Sequence, residues 1–262
     1  MPISSRTLFH FVNTLEYLKK ILNNDFYPRY CLEKIKTDMT DCVEWYIPMK
    51  CFCDIPLSQI SEHTKKYGKY GIGLTKNWAM RNGVSPIIYL YENSNTYREI
   101  NVVHGKILSD AYKKYVKKNS KRTRREIIES LSVLAYIKPI EGDMMRNDVK
   151  IHVNFYDERE WRYIPQVWDK IAINTNGLLM IPKSLAKDEV KLMEKSQSIL
   201  RKRFQLTYSV DDVRYIIVAD DDDRDSICDY LELQYQNRPY LQEEKRKLMS
   251  RIITHKQIIE DF

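Results

Sequence analysis

Hydrophobic and polar positions follow two periods along this chain. Thr7-Leu8-Phe9-His10-Phe11 is a short apolar run that predicts a strand. Leu15, Leu18, Ile21 and Leu22 then share one face of a helix that Asn23-Asn24 ends. The stretch 25–50 keeps neither period and is expected to be irregular. Met49–Asp54 reads as a strand, Ser58 as the N-cap of a helix, and Gly68 as its left-handed stop. A second strand–helix unit follows: Tyr70–Leu74 extended, Thr75 capping, Lys76–Asn82 helical, Gly83 terminating. Pro86–Tyr91 then reads as a buried strand. Tyr97, Ile100, Val103, Ile107, Ala111 and Tyr115 form the stripe of one long helix, and Ile127, Ile128, Leu131 and Leu134 that of another.

From Val149 the period falls from about 3.6 to 2. Ile151, Val153 and Phe155 alternate with polar residues, and the strand pattern is expected to run through Glu158-Arg159-Glu160 to Pro165. Asn176-Gly177 between apolar pairs predicts a hairpin, and a helix is expected near 187–204. Arg214–Ala219 reads as a strand, with a helix opening in the aspartates at 220–226. Ile252-Ile253 closes the strand set, and Thr254–Gln257 fits a capping box. Sheet and helix alternate without a regular βαβ repeat, so the class is α+β.

Composition narrows this little. With 262 residues, 43% of them hydrophobic, the chain can bury a core and is not a disordered polymer. A net charge of +7 favours anionic ligands without naming one. No run approaches the ~20 apolar residues that cross a bilayer, and the N-terminus lacks a signal-peptide core, so no membrane association and a cytoplasmic location are expected. The five cysteines are then expected to stay reduced.

Four segments can carry chemistry. Read as a strand, Glu158, Glu160 and Arg162 share one face, where two carboxylates and a guanidinium can hold sugar hydroxyls and stabilise positive charge. The competing reading is an exposed edge strand. His10 either touches a ligand or is a satisfied core residue. Tyr67–Gly73 packs three of the seven glycines around two tyrosines, which suits close approach of a planar ligand or two adjacent helix caps. The basic run Lys113–Arg125 either meets nucleic acid phosphates or is a solvated helix end. Cys51-Phe52-Cys53 lacks a second pair, and no metal is expected. The aspartates at 220–225 approximate a calcium register without its glycine, so helix capping is preferred.

Two family resemblances bear on these segments. Cys51–Ser58, Tyr67–Trp78, Asp157–Arg162 and Arg251–Phe262 are similar to the AbiGi-type abortive phage resistance proteins, over nearly the whole chain. Cys-Phe-Cys-Asp-Ile-Pro-Leu-Ser and Asp-Glu-Arg-Glu-Trp-Arg are the distinctive blocks. That resemblance implies anti-phage defence as the antitoxin of a two-gene system, with a nucleotidyltransferase-like toxin as partner. Leu8-Phe9-His10-Phe11 before a helix resembles the opening of ADP-ribosyltransferase folds. This second likeness implies a single ADP-ribosyltransferase-like domain over 1–262, a mixed-sheet core with a helical insertion at about 96–136, and NAD as cofactor. By it, His10 meets the adenosine-side ribose, Tyr70 beside Gly71 the nicotinamide, and Glu160 the nicotinamide ribose. Glu158 orients the acceptor, and Arg162 adds a cofactor contact. The chain departs from that fold in having no Ser-Thr-Ser element. Two functions follow: ADP-ribose transfer from NAD to a macromolecule, or non-catalytic neutralisation of a toxin.

Overall fold

In the computed structural model of the protein, the described residues are 5–23, 26–36, 42–118, 120–146, 149–165, 180–183 and 197–261. Their centre is a nine-stranded mixed sheet. β1 (Thr7–Val12) lies between β4 (Tyr70–Thr75) and β3 (Cys42–Cys53), antiparallel to both. Beyond β4 come β12 (Val213–Val218) and then β13 (Ile252–Thr254), the latter pair parallel. Beyond β3 come β10 (Glu160–Tyr163) and β5 (Ser85–Pro86). β2 (Arg29–Lys36) and β11 (Ile181–Pro182) pair with the first half of β3.

The stretch 25–50, expected to be irregular, therefore holds two strands, β2 and most of β3. Two features hid them. Trp45–Met49 is buried at every position, so it shows no alternation, and Pro48 in mid-strand cannot donate to a ladder. Pro48 is nevertheless held opposite Tyr30 in the β2–β3 register.

β1 shows why the glycines of β4 are where they are. Phe9 stands opposite Gly73 and Phe11 opposite Gly71. A Cβ on either glycine would come within 2.9 Å of those rings, so the aromatic side chains fill the space that glycine leaves. Leu8 points to the other face, into a core with Leu18, Phe26, Phe52, Trp78 and Ile216.

α1 (Leu15–Leu22) and α3 (Lys76–Arg81) form as predicted, with Thr14 and Thr75 capping the backbones of Tyr17 and Trp78. Gly68 ends α2 (Ser61–Tyr67) at φ +107, but Ser58 lies inside a separate 3-10 turn, Leu57–Gln59, and caps nothing. The expected buried strand 86–91 is split: β5 pairs with β10, while Ile88–Leu90 forms β6 beside β7 (Ile137–Pro139). Ile88 is 53% exposed.

α4 (Asn95–Lys117) and α5 (Lys121–Leu134) make a helical hairpin against the first half of β3, through Trp45, Leu108, Ala111, Ile127 and Leu131. The α4 stripe is shifted from the predicted one. Tyr97, Asn101, Gly105, Leu108 and Ala111 are buried, while Val103 and Ile107 face solvent. The second-half strand pattern is also broken: β9 (Val149–Asn154) pairs with β8 (Glu141–Arg146), a 3-10 turn spans Phe155–Glu158, and only then does β10 begin. Asp220 caps the helix Asp221–Tyr235, and Thr254 and Gln257 exchange the expected reciprocal bonds. The 176–177 hairpin and residues 187–196 of the expected helix lie outside the described residues; 197–203 is helical.

Candidate functional site

The sheet register places Phe9, Cys53 and Glu160 in one row across β1, β3 and β10. One residue along β1, the His10 Nδ1 lies 2.8 Å from the carbonyl of Cys51. Glu158 precedes β10, and Arg159 between the two glutamates is left-handed, φ 42, in a region few non-glycine residues adopt. That turn, and not strand alternation, brings Glu158 and Glu160 together. It is held by the Asp54 N–H donating to the Arg159 carbonyl at 3.0 Å.

The result is a cavity of about 230 Å³ lined by His10, His63, Tyr67, Lys138 and the two glutamates, among others. Lys138 Nζ sits 2.7 Å from Glu158 and 3.2 Å from Glu160. Arg162, 1% exposed, donates to Glu160 at 2.6 and 3.1 Å and to the Ala135 carbonyl at 2.6 Å. Glu33 on β2 reaches the same guanidinium at 3.4 Å. The Tyr67 hydroxyl donates to Glu158 at 2.9 Å, and the Glu160 N–H donates to the Tyr89 hydroxyl at 2.9 Å. The exposed-edge reading of these charges is thereby excluded: Glu158 is 7% and Glu160 9% exposed.

Electrostatics set the protonation states. Burial pushes the Glu160 carboxyl up, but Arg162 and Lys138 outweigh it and hold it at about 2. Burial pushes Lys138 down, and Glu160 and Glu158 more than reverse this. At neutral pH Glu160 is thus an anion and Lys138 a cation. Burial, then Lys50, holds His10 well below its usual range, and burial lowers His63 to about 4. A carbonyl only accepts, so a neutral His10 donates from Nδ1 to Cys51 and keeps Nε2 as an acceptor. The cavity thus offers an ionised carboxylate, a neutral imidazole and a phenol. That set binds hydroxyls and stabilises developing positive charge; Glu160 has no proton to give at neutral pH.

His10, Glu158, Glu160 and Arg162 are therefore brought together. Tyr70 and Gly71 are not: the Tyr70 hydroxyl donates to Asp223 at 2.9 Å, and the Phe11 ring covers Gly71. Tyr67 stands in the cavity instead, its ring 4.4 Å from that of His63. The sequence reading missed Lys138 and Tyr89, which come from strands β7 and β6 far from either motif. The basic run lies at the α4–α5 turn, where Arg122 and Arg125 pair with Glu126 and Glu129 one turn on. No helix among the described residues is long and apolar enough to cross a membrane.

A mixed α/β protein with a buried, ion-paired carboxylate cavity over strands β1, β3 and β10 of its central sheet is the class that fold and site define. Residues 24–219 match a family model described as "Putative abortive phage resistance protein AbiGi, antitoxin". The chain is also 33% identical to "Abortive phage resistance protein AbiGi" of Lactococcus lactis subsp. cremoris, over 90% of this chain and 99% of that protein. The chain belongs to the AbiGi family of abortive phage resistance proteins. No solved structure matches it.

Proposed function

We propose that this protein is the antitoxin of a two-gene abortive-infection pair and restrains its toxin by contact. The observation that carries this reading is the match to the antitoxin family across residues 24–219. The expected partner is a nucleotidyltransferase-like toxin encoded beside it. Contact needs no turnover, and the carboxylates of the cavity already hold Lys138 and Arg162. Co-expression with the neighbouring gene tests it: growth should be restored by wild type and equally by Glu160→Gln and His10→Gln, each checked for folding by melting temperature. Failure of wild type to rescue would sink the reading. The basic turn at Lys113–Arg125 is the surface proposed for an acidic partner or for nucleic acid.

One observation favours a second reading, ADP-ribosyl transfer from NAD in an ADP-ribosyltransferase-like fold. His10, Tyr67 and ionised Glu160 share one cavity, and they suit a ribose beside a cleavable N-glycosidic bond. In this reaction the ribose–nicotinamide bond breaks, nicotinamide leaves, and the ribosyl carbon bonds to an acceptor oxygen or nitrogen. Incubation with NAD labelled in its adenylate should move label to protein or nucleic acid, with nicotinamide released. Equal release by wild type and by His10→Gln would remove the reading.

A further inference from the structure

The carboxylate cavity has a neighbour of opposite charge. His10, Phe11, Cys51 and Tyr67 also line a second space of about 390 Å³, within the roughly 300–1,000 Å³ usual for small-molecule sites. Lys20, Arg29, Lys50 and Lys66 line it, and among the described residues no aspartate or glutamate does. These four cations come from α1, β2, β3 and α2, so the tertiary fold alone collects them. Three rest on aromatic faces: Lys20 over Tyr17 at 5.2 Å, Arg29 over Tyr17 at 5.6 Å, and Lys50 over Phe26 at 4.6 Å. Such stacking fixes a cation without cancelling its charge. Like charges gathered around one cavity repel, and an anion relieves that cost. Arg29 brings a planar fork matched to phosphate oxygens. Lys50 and Arg29 also help to keep His10 neutral, which preserves its acceptor at the junction of the two chambers.

We propose that the cationic chamber binds the phosphates of a nucleotide whose ribose hydroxyls reach His10 Nε2 and Glu160 in the adjoining cavity. The site requires neither toxin neutralisation nor group transfer. It shares with the ADP-ribosyl reading only the place of the ribose.

Titration calorimetry on the full chain tests it, with ADP and inorganic pyrophosphate as probes. Both should saturate at one equivalent. Arg29→Gln/Lys50→Gln should weaken both by about tenfold or more, since a charge-assisted hydrogen bond contributes roughly 1.5–3 kcal/mol. Lys20→Gln/Lys66→Gln is a second, independent pair with the same expectation, and melting temperatures report folding. Glu160→Gln should weaken ADP and spare pyrophosphate, while Lys256→Gln, on the last helix, should change neither. Absence of saturation by both probes, or wild-type affinity in both double variants, overturns the proposal. So does binding of a 5′-phosphorylated RNA oligonucleotide without binding of ADP. Toxin rescue is read as growth and ADP-ribosyl transfer as label, so each can fail without the other.

Discussion

Lys138→Met removes the ammonium that bridges Glu158 and Glu160 while keeping an unbranched apolar stem. Worked from the separations of 2.7 and 3.2 Å, each contact is about 5–6 kcal/mol at an effective dielectric of ~20. Desolvation of three buried charges cancels most of that sum, and removing one partner of a buried pair typically costs about 3–5 kcal/mol. Glu160 keeps Arg162, which places the expected loss near ~3 kcal/mol. The lost stacking of Lys138 on Phe155, at 4.6 Å, adds roughly 0.5–1 kcal/mol. Urea denaturation at pH 7 measures it. The deficit should also shrink as pH falls below about 4.5. Lys138 is one of the two cations that hold the folded Glu160 carboxyl at about 2, down from 4.5, so the stability it lends through Glu160 is present above the unfolded value and is lost as pH falls toward the folded one. Glu158→Gln on the Lys138→Met background should cost less than it does alone, by about 0.5–3 kcal/mol of coupling. A loss under about 1 kcal/mol that is flat in pH would refute the electrostatic account of the cavity.

Three further outcomes are expected. Arg162→Lys should destabilise by about 2–4 kcal/mol in denaturant melts, because an ammonium cannot reach Glu160, Glu33 and the Ala135 carbonyl from one buried position. Gly68→Ala should cost clearly more than Gly83→Ala by thermal unfolding. Both glycines have positive φ, but a Cβ at Gly68 meets the backbone of Val12 and Asn13, whereas at Gly83 it meets nothing. The C2 protons of His10 and His63 should not titrate between pH 5 and 8 by NMR. Both histidines have lowered folded values, so they contribute stability that is present above about pH 6.5 and falls as pH drops toward 4. Their glutamine variants should flatten that part of the stability profile.

The sequence by itself determined the elements whose signals are local. A cap, a terminating glycine and one clean apolar face fix α1, α3, β4 and the C-terminal strand–helix unit, because the deciding interactions lie within a few residues. His10, Glu158, Glu160 and Arg162 were legible as candidates for a similar reason: charged or imidazole side chains stand out in otherwise apolar strands. Tertiary structure decided what locality could not. β3 is covered throughout Trp45–Met49 and contains Pro48, so no period announces it, and only pairing with β2 and β1 makes it the hub of the sheet. The phase of α4 was set by what it meets, since Asn101 and Gly105 are buried while Val103 and Ile107 face water. The glutamates converge through one left-handed residue and are held by Lys138, which lies 20 residues before Glu158. Tyr67 replaced Tyr70 because β4 turns Tyr70 toward Asp223. Ion pairs and cavities are made by chains that meet in space, and sequence spacing carries no record of that meeting.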